Sequence, residues 1–241
     1  MMSAVEHYQS ASHSHVGMVR QVNEDACLDA RQAGLWAVAD GMGGHAAGDF
    51  VSSLIVDSLR RIAPRDSLPA YVQALRTGLA EVNEAVRAEA ARRGVGMMGS
   101  TLVLLAARGS QATCLWVGDS RLYRLRDGQL SILSHDHSYV QELVDKGALC
   151  EEEARSHPMG NMVTRAVGAQ DYLELAEIHL EVRPGDCFLL CSDGLNRTVE
   201  DHELQDVLGH EEPYDMVRSL VHLGLTRGAP DNITAVVVKA Y

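Results

Sequence analysis

Residues 35–48, LWAVADGMGGHAAG, constrain the fold of this chain more than any other stretch. The apolar run 35–39 predicts a buried strand, and it stops abruptly at Asp40. Glycines follow at once, and glycine lets the backbone turn sharply and approach a ligand closely. A carboxylate at the end of a buried strand, beside such a backbone, is suited to hold a hard cation. The question is whether the rest of the chain supplies partners.

Three further aspartates adjoin predicted strands that lie far apart in the sequence. They are Asp119, Asp193 and Asp231. Antiparallel strands can bring such ends together at one edge of a sheet, and an all-oxygen set of ligands suits Mg²⁺ or Mn²⁺. No cluster of histidines and cysteines has the spacing of a zinc site. A simple turn aspartate remains the alternative at each position, and for Asp119 taken alone it is favoured.

The order of helical and strand patterns predicts the fold class. Apolar residues recur at helical spacing over 51–62 and again in a helix that begins near 66–67 and reaches about residue 93. Successive strands follow, and Asp127-Gly128 marks a hairpin. Two more helices are predicted at about 200–208 and 213–226. Because helices and strands do not alternate one for one, the pattern favours an α+β fold with antiparallel sheets.

Residues 136–162 are predicted to lie outside the sheets. The first part, 136–147, reads as a short helix. The second part, 148–162, mixes acids, Pro158 and Gly160 without an apolar period, and it predicts a mobile surface segment or lid.

Charge and cysteine content exclude several classes of protein. The net charge of −12 disfavours binding to nucleic acid or anionic membranes. No apolar run approaches the 18 residues or so of a membrane span, and residues 1–15 lack the features of a signal peptide. The five cysteines include no CxxC pair, and Cys187 and Cys191 are predicted to be core residues. We therefore expect a soluble protein of the reducing cytoplasm.

The segment 17–25, GMVRQVNED, places one basic residue close to two acids. Arginine is the side chain suited to grip a phosphate with two parallel hydrogen bonds, so Arg20 is a candidate phosphate ligand. Glu24 and Asp25 follow it closely. A surface turn without function is the alternative for this segment.

Eight short motifs together resemble the PP2C-type, metal-dependent (PPM) protein phosphatases. In chain order they are Arg20-x-x-Asn-Glu-Asp25, Asp40-Gly-Met-Gly-Gly44, Gly99-Ser-Thr101, Gly118-Asp-Ser-Arg121, Asp136-His-Ser138, Thr164-Arg-Ala-Val-Gly168, Ser192-Asp-Gly194 and Asp231-Asn232. One motif alone is a weak signal, but eight in the family's order, from about residue 10 to 241, are very specific.

The resemblance implies a four-layer α/β/β/α sandwich, with helix pairs outside two antiparallel sheets, and a dinuclear Mn²⁺ or Mg²⁺ site at one edge. Asp40 matches the bridging aspartate, and Gly41 matches the glycine whose carbonyl is a ligand. Asp193 and Asp231 match the other carboxylate ligands of the metals. Glu24, and less clearly Asp25, would bind through metal-held water. Asp119 matches the aspartate that, with Asp193, helps to hold a third, weaker ion, and Arg20 matches the phosphate-binding arginine.

The resemblance also implies an activity, the hydrolysis of phosphoserine and phosphothreonine in proteins. We expect one catalytic domain over 1–241, a flap at 139–162, a monomeric state, and phosphorylated proteins and a bacterial serine/threonine kinase as partners. Regulation of a secretion system is a further expected context. Many eukaryotic relatives have a histidine at the position of Met42, and that histidine is proposed to protonate the leaving group. In this sequence His45 and His157 are weak candidates for that role.

Two other functions remain open at this point. A catalytically silent relative could bind phosphoproteins or regulate a partner, although the predicted metal ligands are all present. A metal-dependent phosphatase acting on small phosphoesters is also compatible with the fold, because fold alone does not fix the substrate.

Overall fold

The computed structural model describes residues 5–43, 47–210 and 212–241. The strands are β1 Tyr8–His15, β2 Asp25–Ala30, β3 Leu35–Met42, β4 Gly99–Ser100, β5 Leu102–Arg108, β6 Gln111–Val117, β7 Arg121–Arg126, β8 Gln129–Ile132, β9 Ala176–Glu181, β10 Cys187–Cys191 and β11 Ile233–Ala240. The α-helices are α1 Gly48–Arg61, α2 Leu68–Arg93, α3 Tyr139–Asp145, α4 Glu151–Arg155, α5 Asp193–Asn196, α6 Asp201–Leu208 and α7 Pro213–Thr226.

The strands form two antiparallel sheets. The first has the order β1-β11-β10-β7-β8, and the second has the order β2-β3-β5-β6-β9, with the short β4 paired to β3. The chain's first strand therefore pairs with its last, from Tyr8 opposite Ala240 to His15 opposite Ile233. The predicted hairpin at Asp127-Gly128 joins β7 to β8, and both residues have the positive φ that a tight hairpin turn requires.

Three apolar clusters fill the spaces between four layers. Trp36 and Val38 of β3 point into the cluster between the two sheets, where they meet Phe188 of β10. Leu35 and Ala37 point to the opposite face, into the cluster beneath α1 and α2. The third cluster lies between the first sheet and helices α6 and α7. Strands buried on both faces are continuously apolar, which explains the sequence pattern and confirms the predicted α/β/β/α sandwich.

Local signals set the limits of the long helices. The hydroxyl of Ser67 accepts a hydrogen bond from the backbone N–H of Ala70 and caps α2, as its sequence predicts. Gly94 ends α2 in the left-handed conformation, with a φ of 64°. Helix α1 has no side-chain cap of its own.

Residues 148–162 differ from the prediction in one respect, because they include helix α4. The side chain of Glu153 accepts a hydrogen bond from the backbone N–H of Cys150, and this contact closes the first turn. Glu151, Glu152 and Glu153 lie in that turn, where acids are favoured by the helix dipole. A capping contact, rather than an apolar period, therefore specifies this helix.

Two further predictions concern cysteines and membranes. Cys187 and Cys191 are free and buried in the cluster under α6 and α7, as predicted. In the described part of the chain, none of the helices combines the length and apolar character needed to cross a bilayer.

Candidate metal centre

Asp40 and Asp25 face each other across neighbouring strands. They are directly opposed in the pairing of β2 with β3. The backbone of Asp40 is fixed from the other side, since its carbonyl accepts hydrogen bonds from the Ser100 hydroxyl at 3.0 Å and from the Thr101 N–H at 2.9 Å. The Thr101 hydroxyl in turn accepts from the Asp40 N–H at 3.1 Å. The strand end is thus held rigidly with its carboxylate beside a second one.

The other sheet contributes Asp193 and Asp231 to the same edge. Asp193 follows Ser192, which directly follows β10, and Ser192 exchanges hydrogen bonds with Thr234 of β11. The Ser192 hydroxyl also donates to Oδ2 of Asp25 at 2.7 Å. This hydrogen bond links the two sheets at the point where their acids meet.

Burial and mutual repulsion shift the pKa values of these carboxyls upward. The pKa of Asp40 is raised well above its usual range by burial and then by the charges of Asp25, Asp193 and Asp119. Burial is also the main reason why the pKa of Asp25 and that of Asp119 are each raised to about 7. Burial also raises the pKa of Asp193. The positive charge of Arg197 opposes this increase, and the negative charge of Asp231 adds to it. Bringing such acids together is costly unless cations neutralise them.

Two arginines are paired with these acids. Arg20 forms a two-pronged ion pair with Asp231, at 3.0 Å from Nε to Oδ1 and 2.8 Å from Nη2 to Oδ2. Arg197 lies 3.2 Å from Oδ2 of Asp193 and 3.4 Å from Oδ2 of Asp119. Across residues 5–43, 47–210 and 212–241, no three His, Cys, Asp or Glu side chains are already arranged to hold a metal. In this structure the positive charge beside Asp231, Asp193 and Asp119 is supplied by Arg20 and Arg197.

The donor set nevertheless fits a hard divalent cation. Its side chains offer carboxylate oxygen, which Mg²⁺ and Mn²⁺ prefer. Oδ1 of Asp25 is buried and has no hydrogen-bond partner in the described part of the chain, and a buried polar atom of this kind is rare unless an ion or a water satisfies it. The raised pKa values point the same way, because they show that these carboxylates lack enough positive charge around them.

The loop that carries Arg20 and Glu24 is fixed by Asn232. The amide of Asn232 donates to the carbonyls of Val16 and Val22, at 2.8 and 3.0 Å, and its oxygen accepts from the Glu24 N–H at 2.8 Å. The Asp231-Asn232 pair thus places an acid at the site and positions the loop that holds Arg20.

Glu24 also supports the first helix. Its Oε1 accepts a hydrogen bond from the N–H of Gly48, the first residue of α1, at 3.2 Å, and burial raises its pKa. Gly41 lies against the same backbone, because a Cβ added there would lie 2.1 Å from the Gly48 carbonyl oxygen. Glu24 therefore has a structural role besides the predicted contact with metal-held water.

A cleft of 390 Å³ opens beside Asp119 and Asp193, beneath the segment 139–162. Arg121 lies on its wall and forms an ion pair with Asp136 at 2.8 Å. His157 also lines the cleft. The segment predicted as a flap therefore covers an opening next to the acids.

The structure places each predicted site residue at this edge or on the adjoining loop. Three supporting residues, Ser192, Asn232 and Arg197, were not predicted to have a role. Ser192 and Asn232 belong to the quoted motifs, but only the packing of the sheets shows which residues they contact. Arg197 carried a local signal, since it lies four residues after Asp193, the spacing of neighbours on a helix. His45, a weak candidate for a proton donor, lies outside the described residues.

Comparison with known proteins identifies relatives over nearly the whole chain. A family model described as protein phosphatase 2C matches residues 10–227. The serine/threonine protein phosphatase PstP of Mycobacterium tuberculosis is 38% identical over 231 residues, or 94% of this chain and 44% of PstP. This chain thus spans less than half the length of that relative.

Two solved structures share the fold along their full length. One is described as PppA, a key regulatory component of T6SS in Pseudomonas aeruginosa; it has a TM-score of 0.93 and 70% identity, and the match covers 99% of this chain and 100% of that one. The other is the catalytic domain of the phosphatase PstP in complex with two manganese ions. It has a TM-score of 0.87 and 35% identity, over 99% of both chains.

These findings agree with the motifs and the architecture. The family model covers the loop of Arg20 and the strand ends of Asp40, Asp119 and Asp193. The two-sheet sandwich places these residues together at one edge, as the motifs imply. The chain belongs to the protein phosphatase 2C family.

Proposed function

We propose that this chain hydrolyses phosphoserine and phosphothreonine in proteins with the help of two Mn²⁺ or Mg²⁺ ions. The observation that carries the proposal is the meeting of Asp25, Asp40, Asp119 and Asp193 at one sheet edge, with pKa values raised by burial and by one another. Arg20 lies beside this cluster and provides a positive group for the substrate's phosphate. The manganese-bound relative supports the choice of metal.

The ligands are assigned residue by residue. The carboxylates of Asp40, Asp193 and Asp231 and the carbonyl of Gly41 would hold the two ions, and Glu24 would act through a metal-held water. When bound, the ions neutralise the acids and supply an activated water for attack on phosphorus. No serine or cysteine nucleophile is required.

Arg20 orients the phosphate in this proposal. Its side chain is 54% exposed although it is paired with Asp231, so part of the guanidinium faces the solvent from which substrate arrives. A planar guanidinium can hold two phosphate oxygens at once. The fork that holds Asp231 in this structure would hold the phosphate of a bound substrate.

The proton for the departing serine or threonine oxygen needs another source, because Met42 has no titratable group. His157 is one candidate, since it lines the cleft beside Asp119 and Asp193. Its Nδ1 accepts a hydrogen bond from the Met159 N–H at 3.1 Å, which leaves Nε2 as the protonated nitrogen of the neutral ring. A water held at the metal centre is the other candidate.

The biological context is proposed from the relatives. We propose one catalytic domain over residues 1–241, acting as a cytoplasmic monomer on proteins phosphorylated by a serine/threonine kinase. The 70% identity to PppA supports a role in regulating a secretion system. The flap, residues 139–162, shapes the access of substrates to the cleft.

The first test is the hydrolysis of a phosphothreonine peptide by the purified protein. We expect a chelator to abolish phosphate release and added Mn²⁺ to restore it. Asp40→Asn is the matched inactive variant, and its fold is checked by circular dichroism. A folded protein that is inactive with every divalent metal would contradict the proposal and favour a silent phosphoprotein-binding regulator.

A second comparison distinguishes the class of substrate. Phosphopeptides and small phosphoesters are supplied at equal concentration with Mn²⁺. We expect a higher kcat/KM for the phosphopeptides, and the reverse order would favour an enzyme of small-molecule metabolism.

A further inference from the structure

Arg197 makes three contacts that join separate parts of the molecule. Its Nε lies 3.2 Å from Oδ2 of Asp193, and its Nη2 lies 3.4 Å from Oδ2 of Asp119. The same Nη2 donates a hydrogen bond to the carbonyl oxygen of Gly160 at 2.8 Å. One guanidinium therefore bridges two acids of the candidate centre and reaches the segment 139–162 that covers the cleft.

The two acids strongly need a positive partner. The side chain of Asp119 is 5% exposed and that of Asp193 is 15% exposed, so water screens their charges poorly. Among the described residues, the ion pairs of these two carboxylates are with Arg197. A guanidinium is always charged and offers several donors in one plane, so it can serve both acids at once.

We propose that Arg197 acts as an internal cation at the Asp119–Asp193 pair, in competition with a third metal ion, and that it fastens the flap while it is there. The inference rests on the proposed two-ion function and concerns only the additional ion that the family resemblance implies. Arg197 is thus a positioning residue, which acts through the two acids and through Gly160.

The proposal links ion binding to the flap. A third ion at Asp119 and Asp193 has to displace the guanidinium, and the displaced guanidinium loses its place beneath Gly160. Any ion that binds there consequently loosens the flap, and by reciprocity any substrate that lifts the flap favours ion binding. The cost of displacing Arg197 makes the third ion bind weakly.

The decisive variant is Arg197→Gln, which keeps a polar side chain of medium length and removes the charge. The number and affinity of bound Mn²⁺ ions are measured by equilibrium dialysis with elemental analysis, without any reference to activity. We expect the weakest ion to bind at least about tenfold more tightly than in the unmodified protein, because a competing unit charge in a poorly screened site has been removed. Adding Asp119→Asn to this variant is expected to abolish the gain.

The flap is followed by hydrogen exchange of residues 148–162 in the presence of chelator. Arg197→Gln is expected to exchange faster there than the unmodified protein. Arg155→Gln is the matched control, since Arg155 ties the same flap to Glu200 at 3.1 Å without an ion pair to Asp119 or Asp193. It is expected to speed exchange in the flap and to tighten Mn²⁺ binding much less than Arg197→Gln does, because the charge of Arg197 stays beside the two acids.

Arg197→Lys provides a second variant that keeps the charge and loses the planar fork. It is expected to retain weak binding of the third ion and to release the flap. Unchanged Mn²⁺ affinity in both Arg197 variants, or equal gains in Arg197→Gln and Arg155→Gln, would overturn the inference. Because the unmodified protein would still hydrolyse a phosphopeptide in those cases, failure of this inference is distinct from failure of the proposed function.

Discussion

Replacing Asp25 with asparagine should stabilise the metal-free protein, and the gain should depend on pH. Asp25 is 9% exposed and faces Asp40 across two strands, and its pKa is raised from 3.8 to about 7. The folded carboxyl therefore holds its proton more tightly than the unfolded one, and unfolding becomes easier as the pH rises from about 4 to about 7. Raising the pKa of one carboxyl from 3.8 to about 7 corresponds to a free energy of about 4 kcal/mol.

Asparagine keeps the shape of the protonated acid and has no proton to lose. Its side-chain oxygen can still accept the hydrogen bond from the Ser192 hydroxyl. In urea unfolding with a chelator, we expect Asp25→Asn to raise the free energy of unfolding by up to about 4 kcal/mol at about pH 8 and by little at about pH 4. Saturating Mn²⁺ should shrink the advantage, because it stabilises the unmodified protein through the same acids.

Asp186→Asn is the matched control at a buried aspartate that already has a cation. Asp186 is 1% exposed and is paired with Arg126 at 2.6 Å. Removing its charge leaves the partly buried Arg126 without its buried partner, so we expect a loss of about 3 kcal/mol at about pH 8. An Asp25→Asn gain of equal size at both pH values, or a loss at about pH 8, would refute the reasoning from charge repulsion.

Two further predictions concern substrate binding and the glycine next to Asp40. Arg20→Ala should lower kcat/KM for a phosphothreonine peptide by about tenfold or more. Arg20→Lys should recover only part of that loss, because lysine lacks the two-pronged geometry. Equal activity of the three proteins would exclude the phosphate role. Gly41→Ala should lower the free energy of unfolding in urea by about 3 kcal/mol, because its Cβ would lie 2.1 Å from the Gly48 carbonyl oxygen. Gly96→Ala is the control and should cause no such loss, because a Cβ there meets nothing within 4 Å. Similar losses in both variants would contradict the packing argument.

The features that could be predicted from the sequence are those encoded within a few neighbouring residues. The buried strand before Asp40, the cap at Ser67 and the hairpin at Asp127-Gly128 depend on short-range periodicity or turn chemistry, and the structure has all three. The ordered motifs also identified the family. These signals are local, so one sequence suffices to detect them.

The remaining features depend on which strands become neighbours. Strands β2 and β9 were not predicted, since the first is short and mixed in character and the second lies at a sheet edge with alternating exposed charges. The burial of Asp25 and its hydrogen bond with Ser192 arise only where two sheets meet. No residue near Asp25 in the sequence indicates that its hydrogen-bond partner is Ser192, 167 positions away.

The pairing of the first strand with the last has a consequence for how the protein is made. β1 leaves the ribosome long before its hydrogen-bonding partner β11. Asn232 likewise meets Val16 across 216 positions, so the loop of Arg20 stays unanchored until Asn232 has been synthesised. Contacts so distant along the chain are slow to form, and the half-built chain exposes an unpaired edge that invites aggregation. The centre can therefore assemble only after the segment that carries Asp231 and Asn232 has been synthesised.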